Sequence, residues 1–120
     1  MQMTEGMDEG AMLRKYPISI NPKETSETLF AKFAEISGKS LLETLRDYDR
    51  GNITPALQDD TLATYCTKIS KEDGKIDFTQ SAISCFRKWQ AYTPWPGIWC
   101  EWNGLRCKII DCKPTEHSGL

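Results

Sequence analysis

Three groups of side chains could carry chemistry. The first is a set of five cysteines, Cys66, Cys85, Cys100, Cys107 and Cys112, with a single histidine, His117. Thiolates and imidazole are the usual zinc ligands, but no CxxC pair occurs and the spacing of Cys107, Cys112 and His117 is unlike structural zinc motifs. No metal is expected, and reduced, mostly buried thiols fit better than a disulfide framework. The second is aromatic: Trp89, Trp95, Trp99 and Trp102 all fall within fourteen residues, around Tyr92-Thr93-Pro94-Trp95-Pro96-Gly97-Ile98-Trp99. Exposed indoles such as Trp95 or Trp102 can stack on bases, although packing is the plainer role. The third is Asp8, flanked by Gly6 and Gly10 in a segment whose two glycines and three acidic residues spell a loop. On residue type alone Asp8 is a turn carboxylate.

Composition narrows what these groups can do. The 120 residues are 39% hydrophobic and 27% charged with a net charge of −2, an ordinary soluble globular balance. Up to Arg50 there are 7 basic against 9 acidic residues, and beyond it 8 against 8. Neither part has the positive excess that announces nucleic-acid binding, so any RNA contact must come from local clustering. No run of eighteen apolar residues is available to span a membrane, and no signal peptide is visible.

The elements that must position these groups follow from periodicity and punctuation. Met1 to Met3 can end a strand, Thr4 to Gly10 is a loop, and Ala11 to Ile20 is extended, with Pro17 favouring an edge. Thr25 or Ser26 can cap a helix bearing Leu29, Phe33 and Ile36, which Gly38 is expected to interrupt. Ser40 then restarts a second helix with Leu41, Leu45 and Tyr48 on one face, ended by Gly51-Asn52. Gly51 to Thr64 has the composition of a linker. Lys75 to Phe78 is expected as a short strand, and Thr79 as the cap of a helix to about Ala91 with Ala82, Phe86 and Trp89 on one side. Pro94 and Pro96 fix φ on either side of Trp95 and exclude helix interior or central strand, leaving a rigid elbow. Ile98 to Trp102 and Leu105 to Cys112 flank Asn103-Gly104, a strong signal for a type I′ hairpin. Lys113 to Leu120 reads as a tail.

In this order the features resemble an internal piece of the methionyl-tRNA formyltransferases. The match rests on Glu5-Gly6-Met7-Asp8-Glu9-Gly10-Ala11-Met12-Leu13, and on Ala63-Thr64-Tyr65 followed by Lys68-Ile69-Ser70-Lys71-Glu72-Asp73 and Lys75-Ile76-Asp77-Phe78. Its third part is Tyr92 to Trp99, with the Pro-Trp-Pro-Gly core. It covers roughly residues 1–112. Sugar-nucleotide formyltransferases and the hydrolase part of formyltetrahydrofolate dehydrogenase are similar, but with a looser elbow. An OB-like RNA-binding module over residues 67–112 is an alternative from another class, and a non-functional remnant of a split or truncated gene is a third.

The resemblance implies an α+β chain: an α/β edge of a Rossmann-like formyltransferase domain (residues 1–50), an interdomain linker (51–66), the start of a C-terminal OB-like β-barrel (67–112) and a tail (113–120). It implies formyltetrahydrofolate as the formyl donor and initiator methionyl-tRNA as the partner, in the cytoplasm or an organellar matrix. Asp8 would be catalytic, raising the basicity of a histidine and holding a proton-relaying water, with Gly6, Met7 and Gly10 beside it at the donor. Lys68, Lys71, Lys75, Arg87 and Lys88 would touch tRNA phosphates, although interleaved Glu72, Asp73 and Asp77 equally suit a solvated face. The family's Asn-x-His motif has no counterpart here, so the chain by itself is expected to transfer no formyl group. The apolar faces between residues 29 and 48 are expected to need the missing remainder of the formyltransferase fold. Alone, the chain should then be partly disordered, associated or prone to aggregate.

Overall fold

The computed structural model describes residues 1–115; His117, and with it the zinc grouping considered above, lies outside the described residues. Two compact units are present, one built from Met1–Ser19 and Lys32–Cys66 and the other from Ile20–Ala31 and the described residues from Thr67 onward. The regular elements are helix α1 (Ser26–Asp49), helix α2 (Ala82–Tyr92), and strands β1 (Ile98–Trp102) and β2 (Leu105–Ile109). The class is α+β, with one two-stranded antiparallel sheet among the described residues.

The expected break at Gly38 is absent: α1 is a single helix of 24 residues. A lone interior glycine costs a helix only about 1 kcal/mol, less than remaking two termini. Both ends of α1 are closed. Thr25 and Thr28 cap reciprocally, each hydroxyl accepting from the other's N–H at 3.4 and 3.0 Å. At the far end Gly51 has φ +73°, its N–H bonds to the Tyr48 carbonyl, and Asn52 N–H reaches Asp47 O at 2.9 Å. This is the paired closure that a left-handed glycine permits.

In the first unit the chain docks on the polar side of α1. Arg14 bridges Glu43 and Asp47, each at 2.9 Å. The Tyr16 hydroxyl meets Thr44 Oγ1 at 2.9 Å and Ser40 O at 3.3 Å. The apolar side chains Phe33, Leu41, Leu42, Leu45 and Tyr48 are left exposed. No sheet forms in this region among the described residues. The extended stretch beginning at Ala11 contributes one antiparallel bridge, Met12 with Ala56.

In the second unit Ser81, not Thr79, caps α2: its hydroxyl accepts from Ser84 N–H, whereas the Thr79 hydroxyl is committed to Asp77 Oδ1 at 2.7 Å. The strand expected over Lys75–Phe78 shrinks to one parallel bridge, Lys75 with Trp99, together with Ile76 N–H to Trp99 O at 2.8 Å. The hairpin forms as the Asn-Gly dipeptide dictates, with φ +48° at Asn103 and +75° at Gly104, and β2 ends at Ile109 rather than Cys112. Its register pairs Ile98 with Ile109, Cys100 with Cys107, and Trp102 with Leu105 on one face. Trp99 with Lys108 and Glu101 with Arg106 occupy the other. Ile98, 2% exposed, anchors the apolar face. The elbow before it carries cis peptides at Thr93-Pro94 and Trp95-Pro96 and closes with Gly97 N–H on Tyr92 O.

Candidate functional sites

Asp8 stands on a short loop at the rim of a cleft of about 680 Å³ in the first unit. Met7, Asp8, Glu9, Met12, Lys15, Gln58 and Tyr65 are among its walls. The volume is in the range of pockets that take a drug-sized ligand. Asp8 is exposed and has φ +57°, a left-handed conformation tolerated by Asp better than by most residues. Two features hold the loop. The Gly6 N–H donates to Glu9 Oε1 at 3.1 Å, and a Cβ on Gly6 would overlap that carboxylate. A Cβ on buried Gly10 would strike the Gln2 carbonyl. The chain itself therefore fills the space at both glycines.

Gln58 supplies a further clamp. Its Nε2 donates to Asp8 O at 2.7 Å and to Gly10 O at 2.8 Å, spending both amide hydrogens on the two sides of the turn. It sits in a stretch with linker composition and carries no motif, so no local signal marks it. Asp59, also on the cleft, is held below the ordinary carboxylate range by the hydroxyl and backbone N–H of Thr61.

The basic residues expected to meet RNA have different surroundings. Lys68 and Arg87 are exposed and make no ion pair among the described residues. Lys88 donates to Lys75 O at 2.7 Å and lies 5.8 Å from the Tyr92 ring centre. Lys71 and Lys75 instead share the charged face of the hairpin with two residues not singled out above, Arg106 and Lys108. The signal for that pair is the alternation in Leu105-Arg106-Cys107-Lys108-Ile109, which sends both basic residues to one face.

Trp99 is the centre of that face. Its indole N–H bonds to Lys71 O at 3.0 Å, and the Arg106 guanidinium lies 3.5 Å over the ring. Lys75 Nζ is 5.3 Å from the same ring and 3.3 Å from Glu101. Arg106 is paired with Glu72 at 2.6 Å, while Lys71 and Lys108 make no ion pair among the described residues. Close packing sets this arrangement: a Cβ on Gly74 would collide with the Gly97 carbonyl, and the Lys108 stem passes over Gly97. Next to it, Asp73 is held below its usual range by the backbone N–H and then the hydroxyl of Ser70. Asp77 is lowered likewise by the hydroxyl and N–H of Thr79.

The cysteines are all free. Burial, with help from Asp111 and Cys85, raises the Cys112 thiol above its ordinary value. Among the described residues no three His, Cys, Asp or Glu side chains converge as a metal site, and no helix is long and apolar enough to cross a membrane.

Residues 68–120 match the family described as the formyl transferase C-terminal domain. The chain is 38% identical over 109 residues to the methionyl-tRNA formyltransferase of Acidobacterium capsulatum, covering 91% of this chain and 35% of that protein. It is 38% identical over 116 residues to the methionyl-tRNA formyltransferase of Sulfurimonas denitrificans, covering 97% and 37% respectively. The resemblance in the sequence is thereby borne out across nearly the whole chain, and the chain spans about a third of the length of these relatives.

Proposed function

We propose that this relative of the methionyl-tRNA formyltransferases is a segment of such an enzyme, whose whole protein transfers a formyl group from formyltetrahydrofolate to the amino group of initiator methionyl-tRNA. The observation that carries the reading is the similarity to two proteins of that name over 91% and 97% of the chain. The transfer breaks the donor's formyl carbon–nitrogen bond and makes one to the methionyl nitrogen. The attacking amine must be unprotonated, the carbonyl oxygen stabilised, and a proton carried from the attacking to the leaving nitrogen. In this reading Asp8 is the carboxylate of the proton-moving group, and Gly6, Met7 and Gly10 shape the edge of the donor's site. The size of the cleft at Asp8, and its mix of Met7, Met12 and Tyr65 with polar side chains, suit a folate-type molecule.

Residues 1–50 would close the catalytic domain, 51–66 connect, and 67–112 begin an OB-like barrel, in a protein of the cytoplasm or an organellar matrix. Lys68, Lys71, Lys75, Arg87 and Lys88 would hold tRNA phosphates, contacts that position RNA without reading its sequence. The remainder of the formyltransferase fold would cover the apolar side of α1.

The test is the DNA on both sides of the reading frame. An in-frame upstream segment encoding Asn-x-His supports the reading, and in the joined protein Asp8→Asn should lower the formylation rate by about 10²–10⁴. A stop codon directly upstream overturns an enzymatic role for Asp8 in this polypeptide. The 120 residues alone should form no formyl-methionyl-tRNA.

A further inference from the structure

Beside Trp99 lies a second, smaller cleft of about 200 Å³, lined by Lys71, Pro96, Ile98, Trp99, Arg106 and Lys108. Three of its six lining residues are cationic and none is acidic. We infer that this cleft is a binding site for a phosphoryl group, with Arg106 as its planar donor and Glu72 as a built-in competitor for that donor.

Guanidinium groups bind phosphate through two parallel N–H bonds, provided that the plane is presented in a fixed orientation. Here the plane is fixed from below, because Arg106 lies 3.5 Å over Trp99 and the indole is itself tied to Lys71 O at 3.0 Å. The stack leaves the guanidinium edge free to donate, and part of that edge is taken by Glu72 at 2.6 Å. Glu72 and Arg106 are both solvent-exposed, with side chains 71% and 47% accessible, so their pairing is easily exchanged for a better acceptor. Lys71 and Lys108 line the same cleft and have no acidic partner among the described residues. An arriving dianion therefore gains two ammonium groups, while Glu72 is released to water. Carboxylate competition makes the site selective. A singly charged acid gains little over Glu72, whereas a phosphoryl group brings more charge and more acceptor oxygens.

The phosphoryl group could belong to a polynucleotide backbone or to a small phosphorylated compound. The polymeric source deepens the RNA arm of the function proposed above and rests on it. The site itself does not.

The test is a titration of the purified chain with inorganic phosphate, followed by the ¹⁵N–¹H signals of the Trp99 indole and of the Lys71, Arg106 and Lys108 amides. Saturable shifts at these positions are expected. Arg106→Ala and Lys108→Ala should each weaken binding about tenfold, a typical loss for one charge-assisted bond. Glu72→Gln should tighten it by about threefold and no more than about fivefold, since the competitor it removes is a solvent-exposed surface ion pair. Far-UV circular dichroism of each variant checks the fold, and Lys39→Ala in the other unit serves as the control. Shifts that are absent or unsaturable, unchanged by Arg106→Ala or unmoved by Glu72→Gln, overturn the site. A single-stranded RNA oligonucleotide that displaces phosphate identifies the polymeric source; one that does not, while phosphate still binds, identifies the small compound. Neither result depends on whether an Asn-x-His segment lies upstream, so failure here and failure of the formyl-transfer reading are separable.

Discussion

Removing the Gln58 carboxamide should loosen the Asp8 turn while sparing the hairpin. In Gln58→Ala the two bonds from Nε2, 2.7 Å to Asp8 O and 2.8 Å to Gly10 O, are lost together. Each is worth about 1 kcal/mol net, and stranding an acceptor on buried Gly10 adds about as much again, so the local cost is about 2–3 kcal/mol. At 1.4 kcal/mol per factor of ten, that raises the opening of the turn by roughly 30- to 150-fold. The natural reporters are Met12 N–H, bonded to Ala56 O at 2.7 Å, and Gln2 N–H, bonded to Ala11 O at 2.9 Å. Amide hydrogen exchange by NMR should show both losing protection by that factor, while the β1 and β2 amides keep theirs. Gln58→Glu is the diagnostic partner, because it preserves shape and supplies no donor. It should do no better than alanine. Unchanged exchange at Met12 and Gln2, or full rescue by glutamate, would refute the clamp.

The remaining predictions concern backbone fit and titration. Gly38→Ala should stabilise α1 by about 0.5–1 kcal/mol in urea unfolding, since a Cβ there meets nothing within 4 Å. Gly74→Ala should destabilise the second unit by about 1–3 kcal/mol, because its Cβ must displace the Gly97 backbone rather than a flexible side chain. Asp73 titrates below its ordinary value of 3.8, so its contribution to stability is complete above that value and is lost as pH falls through the lower, folded one. Ser70→Ala removes the hydroxyl bond of 2.8 Å and should move the Asp73 carboxyl signal upward in an NMR pH titration, part of the way back, with the N–H bond of 2.6 Å remaining.

What could be read from the sequence was what depends on neighbours along the chain. The hairpin needs only Asn103-Gly104 and two strand-like flanks, and the closure of α1 needs only Gly51 after a helical run. Errors arose where one local preference lost to another. Gly38 disfavours helix but is outweighed by the turns on both sides, and Thr79 is a good cap already bound to Asp77. The strand expected at Lys75 needs a run of consecutive ladder pairs and makes one, with Trp99. Gln58 could not be anticipated, since its value lies in carbonyls 48 and 50 residues away. Arg106 and Lys108 were visible as an alternation, but their meaning depends on Trp99 lying between them and Lys71.

The register of the hairpin has a consequence for how this segment can vary. Odd positions of β1 and even positions of β2 carry Trp99, Glu101, Arg106 and Lys108, while the intervening residues Ile98, Cys100, Cys107 and Ile109 are the more buried set. Point substitutions at Glu101, Arg106 and Lys108 can thus rewrite the charged face one residue at a time without disturbing the more buried set. An insertion or deletion cannot. Shifting either strand by one residue would turn the lysine and arginine inward and the isoleucines outward. Selection on ligand preference in this segment should therefore leave its record in substitutions at alternating codons, with the length between Ile98 and Ile109 held constant.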